Sequence, residues 1–338
     1  MIKNLFHGLP RKIGKPLDLR SINRDIGWRR KIASEQKKIA DRFLLHTNTV
    51  LNCPICSSGL SAEYVCIHGY LYKSCTICSH IYLSNLPNKQ TLIDLYTDGV
   101  NVQHSIYLNN ELFDKRLQNI ALPKVQYLNS VINAAGTWID VGCGTGEILQ
   151  AASSIGYKAI GLETDQGQVD FGRKLGLNIV CERFSRENGS RLLKECKIIS
   201  LFNVLEHVED PIDFLSLISS NLPEEAFLVV EVPRTPSLST FANLCFPDLA
   251  ARHIYPPDHL HIFSEESLSK ALENSGLVPI SIWLFGQDIQ ELLISCAAQS
   301  AHIDSGIFEK LLDISPKLQE IIDENSLADT MIVIAKKA

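Results

Sequence analysis

The sequence predicts an α/β fold: a seven-stranded open sheet with helices on both faces, preceded by a small four-cysteine module. Three observations carry this reading. Two Cys-x-x-Cys pairs fall within residues 53–78. From Trp138 onward, short apolar runs alternate with longer amphipathic segments, which is the pattern of βαβ units. One of those runs ends in a glycine-rich turn, Asp140-Val141-Gly142-Cys143-Gly144-Thr145-Gly146. A length of 338 residues accommodates one large α/β domain and a smaller unit. With 45% hydrophobic and 21% charged residues, the composition supplies a buried core.

Residues 1–50 read as a basic N-terminal extension. Residues 1–43 carry twelve Lys/Arg against four Asp/Glu, a net +8, so a chain of net charge −6 leaves −14 on the rest. A basic arm can meet phosphates or an anionic membrane surface, or simply keep the chain soluble. The acidic body disfavours duplex nucleic acid as a partner, because phosphate neutralisation supplies most of that affinity. The polar stretch from Trp28 to Leu45 reads as a solvated helix. Neither an apolar signal core at the N-terminus nor a run of about 18 apolar residues is present. Six cysteines lie scattered outside the two pairs, which suits a reducing compartment. The expectation is a cytoplasmic protein without a transmembrane segment.

Residues 51–85 form the second unit. Cys53-Pro54-Ile55-Cys56 and Cys75-Thr76-Ile77-Cys78 are separated by eighteen residues, the spacing of a zinc ribbon. Gly59, Gly69, Tyr70 and Tyr72 between them suggest short hairpins around the metal. Each turn lets two thiolates converge, and four thiolates close a tetrahedron that leaves no position for water. The zinc is therefore expected to be structural, and to fold a module too small to bury much core alone. Cys66, His68 and His80 lie close enough in sequence to substitute for a ligand.

Residues 86–136 read as a helical lead-in, with apolar positions at helical spacing from Phe113 to Val131. Residues 137–338 hold the main domain. Its strands are expected at 137–141, 158–163, 177–181, 197–202, 226–232, 278–285 and 329–336. One or two helices are expected over residues 287–325.

The turn after Asp140 sets the cofactor class. A dinucleotide fingerprint would need its third glycine at position 147, where Glu147 stands. A carboxylate at that helix N-terminus repels a pyrophosphate, yet suits a cofactor carrying a sulfonium and an ammonium. Seventeen residues after Gly146, the next strand ends at Glu163, a carboxylate able to accept from both hydroxyls of a ribose.

Here the chain resembles the Rossmann-like, class I S-adenosylmethionine-dependent methyltransferases, whose first motif is (D/E)-x-G-x-G-x-G. The resemblance covers roughly residues 120–285 and 329–338. It implies that Asp140, Gly142, Gly144 and Gly146 form the donor-binding turn and that Glu163 holds the ribose. It also implies that Phe184, or a backbone amide near it, meets the adenine. After the fourth strand, Asn203-Val204-Leu205-Glu206-His207-Val208-Glu209-Asp210-Pro211 is similar to the small-molecule branch of the family. Asn203 and Leu205 there are expected beside the cofactor.

Methyl transfer from a sulfonium is an in-line displacement, so the protein must align the partners and deprotonate a weak nucleophile. The family branch carries a segment resembling Pro257-Asp258-His259-Leu260-His261-Ile262-Phe263-Ser264 before a helix, which Ser264-Glu265-Glu266-Ser267 would cap. His259, His261 and His207 are the candidate bases, and His259 and His261 share one side of an extended segment. A zinc ribbon ahead of this branch is similar to sugar and nucleotide-sugar methyltransferases. Their C-methylating members usually append another domain, and the absence of one favours oxygen methylation of a saccharide or other small molecule. Two alternatives stay open: an RNA base methyltransferase using the basic arm, and a non-catalytic zinc-dependent interaction module.

Overall fold

The computed structural model describes residues 6–15, 25–97, 108–250 and 252–338. The first six strands are β1 (Arg11–Ile13), β2 (Thr47–Thr49), β3 (Ser61–Ile67), β4 (Tyr70–Cys75), β5 (Ile81–Leu83) and β6 (Asn85–Pro87). They are followed by β7 (Thr137–Val141), β8 (Lys158–Glu163), β9 (Ile179–Cys181) and β10 (Cys196–Phe202). The last four are β11 (Phe227–Pro233), β12 (His261–Ile262), β13 (Leu277–Phe285) and β14 (Thr330–Lys337).

The main sheet has the order β1-β13-β14-β11-β10-β7-β8-β9. The strands from β7 to β11 run parallel, and β14 inserts antiparallel between β11 and β13. All seven expected strands are present within two residues of their expected bounds. The sheet has eight strands rather than seven, because Arg11–Ile13 pairs parallel with β13. The side chains of this strand are two cations and an exposed Ile13, so no apolar alternation announces it. Lys12 is held over the Trp283 ring, 3.8 Å from its centroid.

The middle strands are buried on both faces: Ile198, Ile199 and Leu201 of β10, and Leu228, Val229, Val230 and Val232 of β11, have no solvent exposure. Such strands read as unbroken apolar runs because helices cover both sides of a parallel sheet. From β7 the chain proceeds to β8 and β9 on one side, then returns to β10 and β11 on the other. The strand order reverses there, which opens a crevice beyond the carboxyl ends of β7 and β10.

A second sheet, β12-β5-β4-β3, carries the cysteine hairpins. Its edge strand β12 comes from the main domain and pairs antiparallel with β5, His261 opposite Tyr82 and Ile262 opposite Ile81. Tyr70, Tyr72, Ile81 and Leu83 share one core with Leu260 and Ile262.

The N-terminal helix spans Ile26–Phe43 and is capped by Asp25, which accepts from the Trp28 amide. It is not solvated as expected. Arg29, Ile32, Ala33, Gln36, Ile39, Ala40 and Phe43 are buried at helical spacing. The apolar stripe is narrow and flanked by cations, which hides it in a composition-weighted reading. Residues 287–325 hold two helices, Asp288–Gln299 and Ser305–Glu324. Arg29 of the N-terminal helix pairs with Glu291 of the first of these, both side chains buried, and Arg30 donates to the Ala298 carbonyl at 2.9 Å.

Candidate active site

The turn after β7 depends on backbone space. Gly142 has φ +68°, and a Cβ there would lie 2.7 Å from Val204 Cγ2. At Gly146, φ is +96° and a Cβ would meet Leu177 Cδ1 at 2.6 Å. Side chains at these positions would strain the backbone and collide with the wall from β10 or with the β9 approach. The Gly144 amide donates to Glu163 Oε2 at 2.9 Å, which ties the turn to the end of β8. Glu163 Oε1 accepts from the amides of Thr164 at 2.6 Å and Asp165 at 2.9 Å.

Asp140 lies beneath the turn and is buried. Ser200 Oγ on neighbouring β10 donates to its Oδ1 at 2.6 Å, and Trp138 Nε1 donates to Ser200 at 2.8 Å. Burial pushes the Asp140 carboxyl up to about 7, against the Ser200 hydrogen bond that favours its ionised form. Glu147, at the start of the following helix, is also buried and forms an ion pair with Arg116 at 3.0 Å.

At the end of β10, Asn203 is exposed, with its backbone in the left-handed region at φ 55°. Its amide donates to the Glu231 carbonyl at 3.0 Å and its Nδ2 to Glu231 Oε1 at 3.1 Å. Glu231 is in turn paired with Lys124 at 2.6 Å, both buried. Asp140, the three glycines, Glu163 and Asn203 thus gather at the carboxyl ends of β7, β8 and β10. Leu205 and Phe184 are core residues, Phe184 packed edge-on against Phe214 with ring centroids 5.8 Å apart.

The three histidines occupy different settings. His207 and His259 are partly exposed, with ring centroids 4.8 Å apart and planes at 82°. The Nδ1 of His207 donates to the Asp258 carbonyl, and that of His259 to the His253 carbonyl, each at 2.8 Å. Burial and the neighbouring His207 push the His259 imidazole well below its usual range. His261 is buried and engaged at both nitrogens, Nε2 with the Val208 carbonyl at 2.9 Å and Nδ1 with His80 Nε2 at 3.1 Å. Burial lowers the His261 imidazole to about 4.

Cys53, Cys56, Cys75 and Cys78 converge with all four sulfurs within 4.8 Å of one another. Cys53 and Cys78 are 3.6 Å apart and Cys56 and Cys75 3.5 Å, close to the edge of about 3.8 Å for a tetrahedron of 2.3 Å zinc–sulfur bonds. The two turns repeat each other. Ser57 donates to the Cys53 carbonyl and Ser79 to that of Cys75, both serines in the left-handed region. Cys66 and His68 stay outside the cluster, and His80 bonds His261 instead. The second turn caps onto the main domain, Ser264 Oγ donating to the Cys78 carbonyl at 3.0 Å. The donor set and spacing fit zinc.

Several residues near the crevice were not singled out from sequence: Ser200, Lys124, Glu231 and Glu206. Lys124 and Glu231 are 107 positions apart, so only the fold pairs them. Glu206 stands inside a motif that was read, yet its burial is not encoded there.

A family model described as a methyltransferase domain matches residues 113–282. The chain belongs to that family. It is a class I S-adenosylmethionine-dependent methyltransferase. Among solved structures this methyltransferase is similar to an S-adenosylmethionine-dependent methyltransferase from Archaeoglobus fulgidus, at 22% identity over 67% of this chain and 98% of that one, TM-score 0.44. It is also similar to magnesium protoporphyrin IX methyltransferase from Synechocystis, at 12% identity over 74% and 100% of the two chains, TM-score 0.48. A third is geranyl diphosphate C-methyltransferase from Streptomyces coelicolor, at 17% identity over 68% and 85%, TM-score 0.42. No curated protein matches the chain in sequence. Among the described residues, no helix is long and apolar enough to cross a membrane.

Proposed function

We propose that this methyltransferase methylates an oxygen of a saccharide or saccharide-bearing small molecule, in a reducing cytoplasm. The observation that carries the donor half is the joint between the glycine turn and Glu163. Gly142, Gly144 and Gly146 leave room for the methionine portion. Glu163 keeps lone pairs beyond those used by the three amides and takes the ribose hydroxyls. Asp140 supplies negative charge under the turn, Asn203 borders the transfer side, and Phe184 and Leu205 back the adenine and methionine walls.

The acceptor half follows from what is exposed. Asn203, His207 and His259 present hydrogen-bonding groups at the crevice mouth, which suits a hydroxyl-bearing acceptor. In this reading His207 or His259 takes the hydroxyl proton, whereas His261, bonded at both nitrogens, positions the segment that carries His259. Cys53, Cys56, Cys75 and Cys78 hold zinc as a structural ion that folds the hairpins.

Four cations of the basic arm weigh against the RNA reading. Arg11 pairs with Glu265, Arg29 with Glu291, Arg30 bonds the Ala298 carbonyl, and Lys12 covers Trp283, so these cations are engaged within the chain. The test is transfer of tritiated methyl from the donor into extract fractions sorted as glycan, nucleotide sugar, lipid and RNA. Label in a saccharide fraction, surviving mild base as an ether does, is expected. Label confined to RNA, or none in any fraction, would overturn the proposal.

A further inference from the structure

We propose that the outer face of the helix Ser305–Glu324 docks a second copy of this chain, the two helices lying antiparallel across a two-fold axis. The helix carries two seams with the same alternating spacing of four and three residues. They are offset by one residue, and so by about 100° round the helix axis. Phe308, Leu312, Ser315, Gln319 and Ile322 make the inner seam, and Ile307, Leu311, Ile314, Leu318 and Ile321 the outer one.

The polar side chains of these seams lie on the inner one. Ser315 and Gln319 are buried. Gln319 Oε1 accepts from the Ile289 amide at 3.0 Å, and its Nε2 donates to Asp288 at 3.0 Å and Asp323 at 2.8 Å, so this face belongs to the packing against the Asp288–Gln299 helix. The outer seam is wholly Ile and Leu, yet it meets water. Ile307 is 58% exposed, Ile314 47% and Ile321 55%, with Leu311 and Leu318 half-buried between them. Ile303 and Leu327, just beyond the two ends of the helix, are exposed as well. A helix that hides a glutamine and a serine while showing water three isoleucines has the polarity of a protein-binding face.

Three properties make the partner a copy of the same chain. Four-three spacing is that of a helix-on-helix seam, whose apolar side chains fit between those of an equivalent helix. A two-fold axis brings one such patch onto itself and closes the assembly at two chains. The area is sufficient: the helix is about 30 Å long and about 10 Å across, so two packed along their length, with Ile303 and Leu327 at the ends, remove on the order of 1,000 Å² from water, the size at which an interface becomes specific. Charge sets the direction. In the antiparallel register that layers Ile314 on Leu318 of the copy, Lys310 stands opposite Glu324 of the copy, and the two-fold repeats that pair. Lys317 meets its own copy at the axis, an unfavourable contact. All three charged side chains are exposed.

Sedimentation equilibrium of the full chain across the micromolar range tests this. The native protein is expected to reach twice the 37.7 kDa of one chain, and Ile314→Glu to stay monomeric over the same range with an unchanged melting temperature. Lys310→Glu is expected to weaken association by about tenfold, and the double variant Lys310→Glu with Glu324→Lys to restore it. Lys317→Gln, which removes the like-charge contact, should tighten it. A native chain that remains monomeric, or a folded Ile314→Glu that still dimerises, overturns the proposal. Should Ile314→Glu fail to fold, the charge exchange decides: a double variant that associates no better than Lys310→Glu overturns the antiparallel contact.

Discussion

In the proposed donor site, Asp140 carries a single titrating proton beneath the glycine turn. Its carboxyl is raised to about 7 by burial, so near pH 6 the empty site holds it largely neutral. A donor carrying sulfonium and ammonium charges favours the ionised form. Affinity for S-adenosylmethionine should therefore rise with pH through 7, by about tenfold between pH 6 and pH 8. Asp140→Asn should flatten the profile in isothermal titration, and an unchanged slope in that variant would assign the proton elsewhere. At this scale the glycine turn and its joint to Glu163 were legible in the sequence, because the spacing of Asp140, Gly142, Gly144, Gly146 and Glu163 is itself the instruction for a tight turn between two strands. Glu206 was not, because its distinguishing property is an unpartnered carboxylate in the interior, and its burial is set by β11 and β12, which the fold brings to it from further along the chain.

The cysteine turns act as a clasp for an element of the main domain. They fold β4 and β5, β5 pairs with β12, and the Cys78 carbonyl accepts from Ser264 at the start of the Glu265–Asn274 helix. Cys75→Ser should lose the zinc and speed amide hydrogen exchange across residues 259–263. The amides of β10 and β11, buried in the main sheet, should keep their protection. Uniform protection at 259–263 in the variant would show that the segment stands without the clasp. Cys-x-x-Cys spacing foretold the hairpins, and the Ser264 to Ser267 cap formed as read. The pairing of β12 with β5 was not foretold, since two residues carry no period, and β1 escaped for a related reason: a cationic tripeptide does not look like a strand.

Across the whole molecule, the N-terminal helix is tied to the domain through Glu291, which meets both Arg29 and Arg252. Burial alone would raise the Glu291 carboxyl, yet the two guanidinium groups outweigh it and hold it at about 2, below its ordinary 4.5. The folded chain thus binds fewer protons there than the unfolded one between those values. Stability from this contact is full above about pH 4.5 and is lost as pH falls toward 2, on the order of 3 kcal/mol in all. Denaturant midpoints should fall over that window in the native chain and much less in Glu291→Gln, whereas parallel curves would remove Glu291 as the cause. The doubly wound sheet was readable at this scale from its alternating runs, while the docking of the basic helix was masked by the charges on either side of its apolar stripe. The most direct test of the account is calorimetric titration of S-adenosylhomocysteine into the native chain, Glu163→Ala and Gly144→Val. Saturable one-to-one binding is predicted for the native protein, weakened at least tenfold in Glu163→Ala and abolished in Gly144→Val, with melting temperatures confirming that both variants fold. Binding of equal strength in all three proteins would contradict it.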